Sequence, residues 1–121
     1  MLRWVSSLVG ALLNDVTRYT LDNGTRVILQ RKPTVPVVAC NVWVGVGSAD
    51  ETPAEAGLAH VHEHMLFKGT QRRGVGEIAR EVEASGGQIN AFTSFDQTCY
   101  YVVMSSRYFA VSYTHLRAHE T

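Results

Sequence analysis

The sequence predicts an α/β (α+β) domain with helices on one face of an antiparallel or mixed sheet. Three observations carry that expectation. A turn cluster at residues 22–24 separates two short alternating segments, two helix-period stretches lie between residues 52 and 85, and strand-like runs rich in β-branched residues flank those stretches.

Each element has a local cause. Arg18-Tyr19-Thr20-Leu21 and Thr25-Arg26-Val27-Ile28-Leu29 flank Asp22-Asn23-Gly24, residues that accept positive φ, so a β-hairpin is expected. Lys32 to Pro36 contains two prolines and breaks the strand pattern. Val37 to Val46 then reads as a long strand, with Val42, Val44 and Val46 facing one way and Asn41, Trp43 and Gly45 the other. Thr52-Pro53-Ala54-Glu55 fits a capping box with Thr52 as N-cap, Pro53 at the first helical position and Glu55 reaching back. That helix is expected to run through Leu58 to Phe67 and to end at Gly69 in a left-handed conformation. A second helix follows from Val75, Ile78, Ala79 and Val82, at i, i+3, i+4 and i+7, and stops at Gly86-Gly87. Gln88 to Thr93 and Thr98 to Met104 are two further strands joined by a turn around Ser94 to Asp96.

Composition bounds the function. The chain has 121 residues, enough for one domain, and its 45% hydrophobic and 18% charged content is that of a globular chain. Eleven basic and eleven acidic residues cancel, and apart from Arg72-Arg73 the basic ones are scattered, so no nucleic-acid footprint is present. Cys40 and Cys99 lie far apart inside apolar runs and match no metal or redox spacing; they read as small core residues. The first 13 residues carry one arginine and a short apolar stretch, too short to span a bilayer. Residues 1–16 are therefore expected to be an extension, either a targeting signal or a start assigned too far upstream. The expected compartment is cytoplasmic, or periplasmic or exported if that stretch is a signal.

The chemistry concentrates on the first helix. Residues 60, 63, 64 and 67 share one stripe of a 3.6-residue helix, so His60 and His64 project side by side with Glu63 beside them. Two neutral imidazoles suit Zn²⁺, and a carboxylate next to them can take a proton from a water that the metal has acidified. His62 points to nearly the opposite side and reads as a surface or packing residue. Spacing alone leaves two readings open, a metal site or a structural histidine pair. Three ionisable groups on an otherwise apolar helix favour the metal, because burying them without partners would cost several kcal/mol. The order is H-x-x-E-H; the more familiar H-E-x-x-H fails because Leu66 stands where its second histidine belongs.

Gly57-Leu58-Ala59-His60-Val61-His62-Glu63-His64-Met65-Leu66-Phe67-Lys68-Gly69-Thr70 resembles the signature of the pitrilysin-type zinc peptidases, the group that includes insulinase and the mitochondrial processing peptidases. Leu21-Asp22-Asn23-Gly24 and the segment from Trp43 to Glu51 resemble that family's opening strands. Gly86 to Thr93 and Asp96 to Tyr101 resemble the segments after its second helix. The resemblance covers about Val16 to Phe109.

It implies a metallopeptidase half-domain of the pitrilysin type over residues 17–110, with one Zn²⁺ per catalytic domain. His60 and His64 would be zinc ligands and Glu63 the general base. Asn90, Ala91 and Phe92 would lie on an edge strand that pairs with an extended peptide substrate, a form of β-augmentation with loose sequence selectivity. The implied partners are that peptide and a second homologous domain or subunit that closes a chamber; no nucleic acid and no membrane span are expected. The alternative is a non-catalytic binding or assembly subunit, although such homologues usually lack motif residues that this chain keeps.

Two departures accompany the resemblance. The family's third zinc ligand is a glutamate on a later helix, which would lie beyond Thr121, so the chain is expected to be a fragment that is itself inactive. Residues 111–121 leave the family pattern and resemble a translated sequencing-adapter peptide, an artefactual end. His115 and His119 repeat the i, i+4 spacing there, but Ala118 stands where an acidic residue would be needed, and no metal is assigned to them.

Overall fold

A computed structural model describes residues 15–110. The expectations for the N-terminal extension and for the tail after residue 110 fall outside the described residues, except that the first strand already begins at Val16. Two units result. The first, ending at Val35, contains β1 (Val16–Thr20) and β2 (Arg26–Gln30), paired antiparallel with Val16 opposite Gln30 and Thr20 opposite Arg26. The expected turn closes this hairpin. Gly24 adopts φ +84°, its N–H donates to Leu21 O at 2.9 Å, and Thr25 N donates to Asn23 Oδ1 at 3.0 Å.

The second unit starts at Pro36. Its sheet has the order β3-β5-β4, formed by β3 (Val37–Val44), β4 (Gln88–Thr93) and β5 (Thr98–Ser105), all antiparallel. Pairing of Val42 with Tyr100 and of Tyr100 with Ala91 sets the register. Strand alternation then puts Cys40, Val42, Val44, Val102, Met104, Ile89, Ala91 and Thr93 on one face. Two helices lie against that face: α1 (Leu58–Met65) and α2 (Glu77–Ala84). Val82, Val102 and Met104 form the buried centre, with Cys40, Ile89 and Tyr108 packed around them. Gly87 is needed where α2 returns to the sheet, because a Cβ there would stand 2.9 Å from Met104 Cβ and 3.0 Å from Val82 Cγ1. On the opposite face Trp43 meets Phe92 edge to face, 5.8 Å between ring centroids, on either side of the buried Cys99. Both cysteines are free, and burial pushes both thiols up from their ordinary pKa.

The helix starts differ from expectation. Thr52 and Glu55 do bond each other, Thr52 Oγ1 donating to Glu55 Oε2 at 2.7 Å and Thr52 N at 3.2 Å, which lowers the Glu55 pKa. They do so in a turn that precedes α1, because Gly57 at φ +91° interrupts the chain before Leu58. Val75 likewise lies ahead of α2, which begins only after Gly76 at φ +72°, and it is exposed. In both places a glycine in the left-handed region outweighs the apolar or capping pattern upstream of it. The helix expected through Phe67 stops at Met65, and the chain after it tightens through Leu66 N to Glu63 O and Phe67 N to His64 O, both 3.2 Å; Gly69 adopts the expected left-handed conformation, φ +93°.

Candidate metal centre

The stripe predicted on α1 is present. His60 Nε2 and His64 Nε2 are 3.0 Å apart, and one ligand atom from each of His60, Glu63 and His64 falls within a 4.8 Å group. Tetrahedral nitrogen ligands at about 2.0–2.1 Å from zinc stand about 3.3 Å from each other, so an opening of a few tenths of an ångström fits an ion between the two rings. Without an ion, the same contact is a hydrogen bond in which one imidazole donates and the other accepts. Both rings are exposed and Glu63 is half-buried. The burial cost inferred from the apolar helix is therefore not what marks the histidines: they lie on its open side, and their convergence with Glu63 marks them.

Glu63 is anchored from the sheet. Thr93 Oγ1, at the end of β4, donates to Glu63 Oε2 at 2.5 Å. Alternation along β4 aims Thr93 at the helices, together with Ile89 and Ala91, and leaves Asn90 and Phe92 exposed on the other face. Tyr100, cross-strand from Ala91, has its phenol pKa raised, first by burial and then by the Glu63 carboxylate. β4 is an edge strand among the described residues, and Ala91 N donates to Asn90 Oδ1 at 2.8 Å.

The N-terminus of α1 is held by Glu51, a residue that the capping-box pattern passed over. Its Oε2 accepts from Gly57 N and its Oε1 from Ala59 N, each at 2.7 Å. An acid at a helix N-terminus satisfies orphan N–H groups and complements the helix dipole. No local spacing rule singles it out, because it reaches across six and eight residues. Glu51→Ala should lower stability by about 1–2 kcal/mol, read as a lower urea midpoint at unchanged m-value. A midpoint equal to that of the unaltered chain would show that water replaces the cap without cost.

His62 sits where the helical wheel puts it, away from His60 and His64. It lines a cavity of about 600 Å³ between α1 and the β3–β5 face, together with Val42, Val44, Leu58, Met65 and Tyr100. Among the described residues no helix is long and apolar enough to cross a membrane.

The inverted spacing, the register and the site geometry agree with a profile match over residues 26–113, to "Insulinase (Peptidase family M16)". The chain belongs to this family. It is 51% identical over 86 residues to an uncharacterized zinc protease of Bacillus subtilis, YmxG, covering 71% of this chain and 21% of that protein. It is 42% identical over 106 residues to the beta subunit of the mitochondrial-processing peptidase of Blastocladiella emersonii, covering 84% of this chain and 22% of that one. The crystal structure of a protease from Helicobacter pylori matches with a TM-score of 0.75 at 35% identity, over 80% of this chain and 24% of that chain. The chain thus spans about a fifth of the length of the curated M16 relatives it matches.

Proposed function

We propose that this chain carries the metal-binding and proton-transfer part of a zinc metalloendopeptidase. His60 and His64 would hold the ion, and Glu63 would act as general base. The observation that carries this reading is the meeting of two imidazole nitrogens 3.0 Å apart with a carboxylate tethered beside them. When bound, Zn²⁺ supplies a Lewis acid that polarises the scissile carbonyl and lowers the pKa of an attacking water. Glu63 would take the proton from that water and pass it to the leaving amine. Thr93 occupies one carboxylate oxygen and leaves the other free for the proton.

Asn90, Ala91 and Phe92 would receive the substrate as an added strand. β4 is an edge of its sheet among the described residues and adjoins α1 through the Glu63–Thr93 bond, which supports the assignment. A backbone-read substrate is an unfolded peptide or a presequence-like segment. The Blastocladiella emersonii relative is named as a subunit, which supports a second homologous domain or subunit as partner.

The test uses this segment within a polypeptide of its relatives' full length and a fluorogenic peptide substrate. Chelation should abolish cleavage, and stoichiometric Zn²⁺ should restore it. Cleavage that survives metal removal would refute the proposal; tight zinc binding with no cleavage of any unfolded peptide would favour a non-catalytic binding subunit instead.

A further inference from the structure

Zinc accepts carboxylate oxygen as well as imidazole nitrogen, and it prefers four ligands. Two histidines on one helix leave positions to be filled, and the nearest anionic donor is Glu63, whose oxygen lies within the same 4.8 Å group. A carboxylate oxygen bound to the ion is no longer free to take a proton from water, and Thr93 already occupies the other oxygen of Glu63. Something has to keep it in the second role.

We infer that Thr93 is a positioning residue that holds Glu63 off the metal position, through the hydrogen bond from its Oγ1 to Glu63 Oε2. This rests on the proposed metal site at His60 and His64. The bond is 2.5 Å long and ends on a carboxylate, the charge-assisted class that is shortest and strongest. Both residues are half-buried, so water competes weakly for the contact.

The donor is itself fixed. Thr93 pairs with Thr98 on β5, and the turn after it closes through Ser94 N to Gln97 O at 2.8 Å. The carbonyls of Ser94 and Phe95 accept from Ser48 N at 3.1 Å and Ala49 N at 2.8 Å, which ties the turn to the segment after β3. Gly47 allows this approach, since a Cβ there would stand 2.5 Å from the Phe95 and Ser94 backbones. Thr98, the cross-strand neighbour, donates to Val46 O at 3.0 Å and so does not compete for Glu63. A β-branched side chain on a pinned strand end has little χ1 freedom and keeps its hydroxyl aimed at one place.

The inference makes a prediction opposite in sign to that of simple structural damage. Zinc affinity of the segment within a polypeptide of its relatives' length is measured by competition with a chromophoric chelator, and Co²⁺ absorption reports the ligand set. Thr93→Val should release Glu63 to the ion and tighten zinc binding about tenfold, the lower end of what neighbours of metal ligands control. Thr93→Ser, which keeps the hydroxyl, should leave affinity and Co²⁺ spectrum unchanged. The gain should vanish in the double variant Thr93→Val, Glu63→Gln. Equal or weaker binding in a folded Thr93→Val chain overturns the inference. If that variant fails to fold by circular dichroism, Glu63→Gln alone decides. With Thr93 in place it should not change zinc affinity, and a tenfold loss would mean that Glu63 already ligates. Absence of zinc binding that depends on His60 overturns the metal-site reading itself, and the role of Thr93 falls with it; His60-dependent binding with no Thr93 effect overturns only the latter.

Discussion

His60→Ala, and equally His64→Ala, should weaken zinc binding to the chain by more than about 100-fold, beyond the range reached by changing a residue that only touches a metal ligand. Among the described residues the proposed ligand set contains these two nitrogens from α1, so removing either leaves the helix with one imidazole for the ion. Such a site has no chelate advantage, since the 3.0 Å convergence of the pair is what makes the helix bidentate. His62→Ala provides the control. It stands on the same helix turn but faces the cavity between α1 and the sheet, so it should leave affinity unchanged. Isothermal titration or chelator competition measures all three variants. Comparable losses for His60, His62 and His64 would mean that binding is a diffuse property of a histidine-rich surface. A loss confined to His60 and His64 would follow from the geometry.

How much of this was legible beforehand differs by element. The hairpin, β4 and the stripe on α1 were read from spacing because each depends on residues close in sequence: Asn23-Gly24 for the turn, alternation for Gln88–Thr93, and i, i+3, i+4 for His60, Glu63 and His64. The helices start later than the pattern predicts because Gly57 and Gly76 set their starts, and a glycine at positive φ leaves no hydrophobic periodicity to detect. Glu51 and Thr93 escaped for a different reason. Their partners lie eight and 30 residues away, and a non-local hydrogen bond has no sequence period. Once strand register is known, however, Thr93 follows at once, since only alternate β4 residues can face α1. The exposure of His60 and His64 also differs from what the pattern predicts. An apolar helix suggests a buried stripe, but Leu58, Val61 and Met65 are themselves well exposed, so α1 lies on the sheet with part of its apolar surface uncovered.

Glu63→Gln should reduce peptide hydrolysis by about 10³-fold, within the range for losing a general base, when the segment is tested in a polypeptide of its relatives' length. Zinc content should stay near one per catalytic domain. The substitution suits the question because glutamine keeps the shape of the side chain and a carbonyl oxygen that can accept from Thr93 Oγ1, so the packing against β4 survives. What disappears is the carboxylate's ability to take a proton. Its effect should therefore fall on kcat, with KM little changed, since Asn90, Ala91 and Phe92 on β4 are untouched and the proposed strand pairing with substrate is intact. Loss of zinc together with activity would identify Glu63 as a ligand and would contradict both its role as base and the tether proposed for Thr93. Retained activity with full zinc would move the base elsewhere. Among the described residues no other carboxylate joins the His60–His64 group.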